Sequence, residues 1–434
     1  MEFRSTRGGT GGRIEQAIMG GTAPDGGLYV PVSLPRAASA EWPAVAQLDV
    51  VACELLAPFF ADSTLSPSLA QIAHEALDFP VPLRQLEDRL AVLELFHGPT
   101  AAFKDVGARF LSGCMTRIVA DGRHTRPPVT ILVATSGDTG GAVAAAYYGK
   151  PGMRVCVLFP EGRVSPRQQH QLTCWGGNVL SLAVAGEFDD CQRLAKEAFA
   201  DAALAGRHNL CSANSINVGR LLPQAAYYAH ASINHLRRTG RPSSFIVPTG
   251  NLGNVFACVW AREMGLPIDR IVMATNANTT VPDFLATGQW LPRATVATLA
   301  SAMDVGNPSN MERLRDLFAD VGDLRAAVMA VPVSDAEIRA AIRSEYDRHG
   351  MAWCPHTATA LHVYRQLPPA DRDRHDWIAV ATAHPAKFDS IVEPLLGVSV
   401  PVPRELGALL ARPAQHQVIG PRLPELASQL DRAA

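Results

Sequence analysis

One stretch organises the rest of the chain: Glu94-Leu95-Phe96-His97-Gly98-Pro99-Thr100-Ala101-Ala102-Phe103-Lys104-Asp105. Its small-residue turn leads through Ala-Ala-Phe to a lysine, and residues 106–118 follow with apolar positions at helical spacing. We therefore expect Lys104 at the start of a helix. A lysine in apolar surroundings loses solvation, and its lowered pKa makes it a usable nucleophile or base. The alternative is a solvated lysine at an exposed helix end.

Length and composition indicate a well-packed globular protein. The 434 residues suffice for two or three domains, and 47% of them are hydrophobic while 18% are charged. The formal net charge of −2 creates no strong field for nucleic acid or an anionic membrane. We therefore expect neither nucleic acid nor a membrane as a partner.

The eight cysteines are scattered without a C-x-x-C pair. This pattern favours reduced core residues over a disulfide framework or a metal site. The chain opens without the apolar segment of a signal peptide, and no apolar run reaches the roughly 18 residues that a membrane span needs. We expect a cytoplasmic protein without a metal, acting as a monomer or a homodimer.

Residues 1–95 look like a distinct leader region that serves mostly as scaffold. We expect a short helix at residues 14–19 and a short strand at 28–30. Residues 43–60 and 67–77 carry apolar positions at helical spacing, so helices are expected there as well.

After Lys104 the pattern alternates between strands and helices. Such alternation implies parallel βαβ units in an open α/β sheet, where ligands bind at the carboxyl ends of the strands. Strands are predicted at Val129–Ala134, 154–159, Val179–Val184, 244–247, 271–274, 327–333 and 377–381. Helices are predicted at 142–148, 166–175, Phe188–Ala200, 217–238, after the loop at 250–254 as far as Met264, and at Asp335–His349.

A glycine-containing loop, Gly250-Asn251-Leu252-Gly253-Asn254, lies between a predicted strand and a predicted helix. Its glycines let backbone N–H groups approach an anion, and the helix N-terminus adds partial positive charge, so phosphate is the natural ligand. The loop matches neither G-x-x-x-x-G-K-[ST] nor a full G-x-G-x-x-G, which argues against a nucleoside triphosphate and weakens a dinucleotide site. A tight turn without a ligand is the alternative.

A second loop of this kind covers residues 135–141, after another predicted strand. Ser136 and Thr139 can donate hydroxyl hydrogen bonds there, and the glycines expose backbone amides. Asp138 is unusual in such a loop because a carboxylate repels a bound anion. We expect it to brace the loop or to accept a hydrogen bond from a ligand hydroxyl.

Residues 212–220, Ser-Ala-Asn-Ser-Ile-Asn-Val-Gly-Arg, place amide, hydroxyl and guanidinium donors over one turn that enters a helix. Asn214, Ser215 and Arg220 suit a phosphate monoester. The alternative is an Asn/Ser helix cap followed by a surface arginine.

Thr382 follows the predicted strand at residues 377–381, and a hydroxyl at that place suits the nitrogen of a pyridine ring. His384, two residues on, is expected to hold backbone rather than to act in catalysis. Two anion-binding loops and an apolar-flanked lysine suggest a phosphate-bearing aldehyde cofactor, held by Lys104 as a Schiff base.

Together these stretches resemble the threonine synthase family, whose members are pyridoxal-phosphate enzymes of fold type II, the tryptophan synthase β-like class. The run from His97 to Asp105 is the most specific piece, and the leader region resembles the longer bacterial and fungal type. The matching pieces, in family order, are residues 5–8, 24–29, 94–105, 134–140, 212–220, 250–254, 302–310 and 382–388.

The resemblance implies roles for individual residues. It implies that Lys104 binds the cofactor covalently and is catalytic, and that Thr382 meets the pyridine nitrogen. Asp138 stands where relatives in the wider fold often have Asn near the 3′ oxygen of the cofactor, and the resemblance implies that Asp138 lies at the cofactor. The implied cofactor-binding set is Lys104, Asp138, Gly250, Asn251, Leu252, Gly253, Asn254 and Thr382. The implied substrate-binding set is Ser136, Thr139, Asn214, Ser215 and Arg220.

The implied fold has open, mostly parallel sheets flanked by helices in two lobes, with an extra N-terminal region. The implied domains are a leader at residues 1–95 and a catalytic region at 96–434. Within the catalytic region, the smaller lobe covers roughly residues 96–215, and the larger lobe covers the remainder.

The implied activity is that of a carbon–oxygen lyase acting on phosphates. It converts O-phospho-L-homoserine and water to L-threonine and phosphate, the last step of threonine biosynthesis. One alternative is a related phospholyase that releases phosphate and a 2-oxo acid. A second alternative is an inert, cofactor-free binding protein, which the retained lysine and loops disfavour.

Overall fold

The computed structural model describes residues 1–39, 42, 47–121 and 128–433. Its strands are β1 Glu2–Ser5, β2 Gly12–Arg13, β3 Tyr29–Pro31, β4 Leu83–Glu87, β5 Leu90–Glu94, β6 Val129–Ala134, β7 Met153–Pro160, β8 Val179–Val184, β9 Leu210–Cys211, β10 Ser243–Pro248, β11 Ile268–Thr275, β12 Met329–Pro332, β13 Asp376–Ala381 and β14 Gln417–Ile419.

The α-helices in the same residues are α1 Ile14–Gly20, α2 Leu48–Phe60, α3 Leu69–Ala76, α4 Lys104–Ala120, α5 Asp138–Tyr147, α6 Pro166–Thr173, α7 Phe188–Ala200, α8 Ala202–His208, α9 Val218–Leu221, α10 Gln224–Thr239, α11 Gly253–Glu263, α12 Thr280–Thr287, α13 Met311–Leu317, α14 Val321–Ala327, α15 Asp335–His349, α16 Pro355–Gln366, α17 Pro369–Arg374, α18 Asp389–Leu396, α19 Arg404–Leu410 and α20 Leu423–Arg432.

Three sheets organise these elements. A five-stranded sheet in the order β14-β8-β7-β6-β9 is parallel throughout. A six-stranded sheet in the order β12-β11-β10-β13-β5-β4 is parallel except for its antiparallel edge pair, β4 and β5. The leader adds a small antiparallel sheet, β2-β1-β3. The predicted architecture of two mostly parallel α/β lobes with an extra N-terminal region is confirmed.

The central strands are buried along their whole length, as parallel strands covered by helices on both faces must be. Every residue of β6, β10 and β13 is buried. The largest hydrophobic core unites the leader with α4 and one face of each large sheet. A second core lies under α15 and α16, and a third lies under α7 and α20.

Most predicted elements are confirmed within one to four residues at each end. The long helix predicted at residues 217–238 is wrong in one respect, since it is interrupted and forms α9 and α10. Pro223 lies at the break, because proline has no N–H to donate to the preceding turn. The helix predicted at 43–60 begins at Leu48, and residues 43–46 lie outside the described residues.

The edge pair β4 and β5 was not predicted. Because β5 pairs with β13, residues 90–94 belong to the sheet of the larger lobe, although they precede the expected division at residue 95. At the other end of the chain, β14 returns to the edge of the smaller sheet. The division of the chain into domains stays a prediction. None of the described helices has the length and apolar character to cross a membrane.

Candidate active site

A cavity of about 250 Å³ lies between the carboxyl ends of β6 in one sheet and β10 and β13 in the other. It shares lining residues, including Ile216 and Ser309, with a larger cleft of about 1620 Å³ beside the leader. Every residue of the implied site lines the smaller cavity: Lys104, Ser136, Asp138, Thr139, Asn214, Ser215, Arg220, Gly250, Asn251, Leu252, Gly253, Asn254 and Thr382. The structure thus brings together loops that are far apart in sequence.

Lys104 is the first residue of α4, as the sequence predicts. The backbone N–H of Phe103 donates to the carbonyl oxygen of Thr382 at 2.8 Å, which ties the lysine turn to the end of β13. The buried carboxylate of Asp105 accepts hydrogen bonds from the N–H of Thr100 at 2.8 Å and from its hydroxyl at 2.7 Å. His97 contacts Glu94 at 2.7 Å. Asp105 thus braces the turn that carries Lys104, and His97 is held by Glu94 at the start of the same stretch.

The amino group of Lys104 is available for chemistry. The pKa of Lys104 is lowered to about 8, mainly by desolvation; the Asp138 carboxylate opposes this effect, and the nearby cations Arg220 and Lys387 add to it. Within the described part of the chain, no hydrogen bond or ion pair reaches Nζ, and the Phe103 ring lies 5.6 Å away. At a pKa of about 8, roughly one tenth of the amine is unprotonated at pH 7, and the fraction rises with pH.

The loop at residues 250–254 has the geometry of an anion site. Leu252 adopts a left-handed φ of 64° directly before α11, so the loop turns sharply into the helix N-terminus, whose first backbone N–H groups have no partner within the helix. A Cβ at Gly250 would lie 2.6 Å from the Cα of Met303, so no larger residue fits there. The Nδ2 amide of Asn254 is buried without a partner among the described residues. An unpaired buried donor at a helix N-terminus fits a bound phosphate.

Asp138 begins α5 and is buried. Its Oδ1 accepts a hydrogen bond from Gln168 Nε2 at 2.8 Å and lies 2.8 Å from the ammonium of Lys387. Burial alone would raise the pKa of Asp138, but the cations Lys387 and Lys104 outweigh burial and hold that pKa well below its usual range. The residue is therefore an anion beside the cavity.

Arg220 is buried in α9, which excludes the surface arginine of the alternative interpretation. Its Nη1 donates to the carbonyl oxygen of Ala213 at 2.6 Å, and its Nε is buried without a partner among the described residues. Burial lowers its pKa to about 10, so the guanidinium remains charged at neutral pH. Asn217 supplies the helix cap, since its side chain accepts from Gly219 N at 2.9 Å.

The loop at residues 135–141 is braced by Thr135, whose hydroxyl accepts from the N–H groups of Gly137 at 3.0 Å and Gly140 at 2.9 Å. Ser136 and Thr139 line the cavity, and their hydroxyls have no partner within the described residues. Both are therefore free to bind a ligand.

The sequence did not single out Lys387, Gln168 or His356. His356 lines the cavity, and its Nε2 accepts from Ala302 N at 3.1 Å, while its Nδ1 is buried without a partner among the described residues. Burial lowers the pKa of His356 to about 4, so the ring is neutral. Of these three residues, only Lys387 could have been found from the sequence, because lysine is rare in this chain and a retained lysine is therefore notable.

The sequence predicted no role for Asp304, which lies within the matching piece at residues 302–310. In the structure it lines the cavity, and burial raises its pKa to about 7. The structural duty expected for His384 is confirmed. Its Nδ1 accepts from the N–H of Ala386 at 3.2 Å and so caps the following turn.

Comparison with known protein families divides the chain into three matching parts. Residues 2–77 match the family described as threonine synthase N terminus, residues 78–382 match the pyridoxal-phosphate dependent enzyme family, and residues 357–428 match the family described as threonine synthase, C-terminal. The cofactor of the pyridoxal-phosphate dependent enzyme family agrees with the unpaired donors and the low-pKa lysine of the cavity.

Individual proteins are similar over nearly the whole length. Threonine synthase from Escherichia coli (strain K12) is 41% identical over 395 residues, which cover 90% of each chain. The crystal structure of the Escherichia coli enzyme superposes with a TM-score of 0.91 over 100% of both chains, at 36% identity. A structure of PLP-bound threonine synthase from Brucella melitensis also gives 0.91, at 34% identity and with 100% and 99% coverage. The chain belongs to the threonine synthase family of pyridoxal-phosphate-dependent enzymes.

Proposed function

We propose that the chain converts O-phospho-L-homoserine and water to L-threonine and phosphate. One observation carries the proposal: a low-pKa lysine, two free hydroxyls, a buried arginine with an unpaired nitrogen and a phosphate-type loop all line one cavity. The curated relatives that support this assignment are threonine synthases, 33% to 41% identical to the chain. They do not favour the phospholyase alternative.

The residues present fit pyridoxal phosphate. Lys104 would hold it covalently, residues 250–254 would bind its phosphate, and the hydroxyl of Thr382 would meet its ring nitrogen. When bound, the cofactor supplies a ring that spreads the negative charge left on the substrate after a proton is removed. Asp138 would accept a hydrogen bond from its ring hydroxyl. These roles rest on placement around one cavity.

Lys104 would act as the base for the proton on Cα, because its lowered pKa leaves a free amine near neutral pH. Arg220 would bind the phosphate on Cγ and stabilise it as it leaves, since its Nε has no partner among the described residues. Ser136, Thr139, Asn214 and Ser215 would orient the substrate. Overall, the Cγ–O bond and one Cβ–H bond break, and the hydroxyl of water joins Cβ. Of the two protons released, from Cβ and from water, one joins Cγ and the other leaves with the phosphate, while Cα regains the proton that it lost.

The products distinguish the two candidate activities. The purified protein, loaded with pyridoxal phosphate, is given O-phospho-L-homoserine, and phosphate, threonine and 2-oxobutyrate are quantified together. We expect one threonine for each phosphate. Phosphate accompanied by 2-oxobutyrate in place of threonine would establish the phospholyase and refute the proposal.

We also propose that the protein works in the cytoplasm as a monomer or homodimer. All eight cysteines are free thiols, and seven of them are buried, which suits a reducing compartment. Light scattering of the purified protein tests the assembly, because a larger oligomer would contradict it.

A further inference from the structure

Lysine is scarce in this chain, and its distribution is informative. Of 39 basic residues other than histidine, only Lys104, Lys150, Lys196 and Lys387 are lysines. Lys104 and Lys196 line the cavity, and Lys387 lies directly behind it, while Lys150 is exposed elsewhere. Since the chain otherwise uses arginine for its cations, the fully buried Lys387 indicates a position that takes the compact ammonium rather than a planar guanidinium.

Lys387 has no exposed surface. Its ammonium donates to the carbonyl oxygen of Thr100 at 2.8 Å and lies 2.8 Å from Asp138 Oδ1. Thr100 belongs to the turn before Lys104, and Asp138 begins α5, which follows β6 of the five-stranded sheet. The ammonium of Lys387 therefore joins the lysine turn to the start of α5 at the wall of the cavity.

Only one oxygen of the Asp138 carboxylate is used by this network. Oδ1 receives both Lys387 and Gln168, whereas Oδ2 has no hydrogen bond within the described part of the chain. Because Asp138 lines the cavity, Oδ2 is the oxygen that a ligand can reach. The carboxylate is thus fixed at one atom and open at the other.

A buried ion pair is a poor stabilising device, because desolvation of both charges offsets their attraction. Replacing such a pair with neutral groups of similar size is often harmless to stability, whereas removing one partner leaves an uncompensated charge. A pair retained beside a ligand cavity therefore calls for a role in binding.

We propose that Lys387 is a positioning residue for the cofactor site: it keeps Asp138 ionised and fixed, so that Oδ2 accepts a hydrogen bond from the cofactor. The inference rests on the proposed function only in taking pyridoxal phosphate as the ligand of this cavity. The cofactor carries a ring hydroxyl, and its hydrogen bond to an ionised carboxylate is stronger than one to a neutral acceptor.

The titratable groups that face Asp138 determine how its pKa responds to the loss of Lys387. The cations Lys387 and Lys104 favour the ionised carboxylate. The other two groups are the neutral ring of His356 and the thiol of Cys354. Without Lys387, the strongest opposing cation is lost while burial still disfavours the charged form, so the pKa of Asp138 rises. Asp138 then gains a proton as the pH falls, and a protonated carboxyl accepts the cofactor hydroxyl poorly.

The test measures the dissociation constant of pyridoxal phosphate by titration of the apoprotein at about pH 6 and about pH 8. The variants are Lys387→Met, Asp138→Asn and the double variant, with Lys150→Met as the matched control on an exposed lysine. Thermal unfolding of each apoprotein is recorded alongside.

We expect Lys387→Met to weaken cofactor binding roughly tenfold, and more at the lower pH, because a charged hydrogen bond is lost. The double variant should bind like Asp138→Asn, with no added pH dependence, since Lys387 acts through Asp138. Lys150→Met should match the wild type. If Lys387→Met binds the cofactor as the wild type does and only melts earlier, Lys387 is merely structural and the inference is wrong.

If Lys387→Met does not fold, the double variant decides, because it contains no unpaired buried charge. Affinity equal to that of Asp138→Asn supports the inference, and a further roughly tenfold loss contradicts it. A wild type that binds pyridoxal phosphate but makes no threonine would contradict the proposed function alone.

Discussion

Desolvation controls the chemistry of Lys104. Its pKa falls to about 8 because the turn places it in the cavity next to Arg220 and Lys387. The amine is the nucleophile, so we expect the apoprotein to take up pyridoxal phosphate faster as the pH rises through about 8. The rate of appearance of the yellow complex measures this effect.

Lys104→Ala should abolish both the yellow colour and turnover while leaving the melting temperature within a few degrees of the wild type. The side chain has no hydrogen bond among the described residues, so little stability is lost with it. Turnover close to that of the wild type would refute the assignment.

Arg220 is expected to serve the substrate rather than the cofactor. Arg220→Ala should raise KM for O-phospho-L-homoserine by about tenfold to a hundredfold, because a charged hydrogen bond to phosphate is lost. The dissociation constant of pyridoxal phosphate should change by less than about threefold, a difference of under 0.7 kcal/mol.

Steady-state kinetics and cofactor titration measure these two quantities. Arg339→Ala, on an exposed arginine of α15, is the control and should change neither. An equal loss of cofactor affinity in Arg220→Ala would place the guanidinium at the other phosphate.

At the scale of elements, the loop between β10 and α11 depends on a close backbone approach. A Cβ at Gly250 would lie 2.6 Å from the Cα of Met303 and 2.7 Å from its carbonyl oxygen, and neither atom can rotate away. Gly250→Ala should therefore destabilise the protein by about 1–3 kcal/mol and weaken cofactor binding.

Gly206→Ala is the matched control, because a Cβ in α8 at that exposed position meets nothing within 4 Å. Replacing a helical glycine there should stabilise by about 0.5–1 kcal/mol. Urea unfolding of both variants, with and without cofactor, checks the pair. Equal stability of the two variants would show that the loop tolerates a larger residue.

Elements with strong local signals were predictable, and elements set by distant partners were not. The strand β6, rich in β-branched and aliphatic residues, and the Ser-Pro cap of α6 carry their structure in their own residues. By contrast, β4 is half polar and is a strand only because it pairs with β5. The role of Lys387 could not be predicted for the same reason, because its partner Asp138 is distant in sequence.

For the whole molecule, the leader and the catalytic lobes share one core. Phe3 and Ile18 of the leader lie in the same hydrophobic cluster as Phe110 of α4. Polar contacts reinforce the join, since the side chain of Asn217 donates to the carbonyl oxygen of Ile18 at 2.9 Å. The family resemblance predicted that a leader is present, but the local sequence could not predict that the leader packs against α4 in a shared core.

A shared core predicts one cooperative unfolding transition for the apoprotein. Calorimetry should give a single peak whose van't Hoff and calorimetric enthalpies agree. A separate early transition that disappears when residues 1–77 are removed would show that the leader folds independently, contrary to this expectation.

The central claim is that phosphate leaves by cleavage of the Cγ–O bond and that water then supplies the hydroxyl of threonine. The most direct test is turnover of O-phospho-L-homoserine in water enriched with oxygen-18, followed by mass spectrometry of both products. The account predicts one labelled oxygen in threonine and none in the phosphate. Label in the phosphate, with homoserine as the other product, would mean hydrolysis at phosphorus and would contradict it.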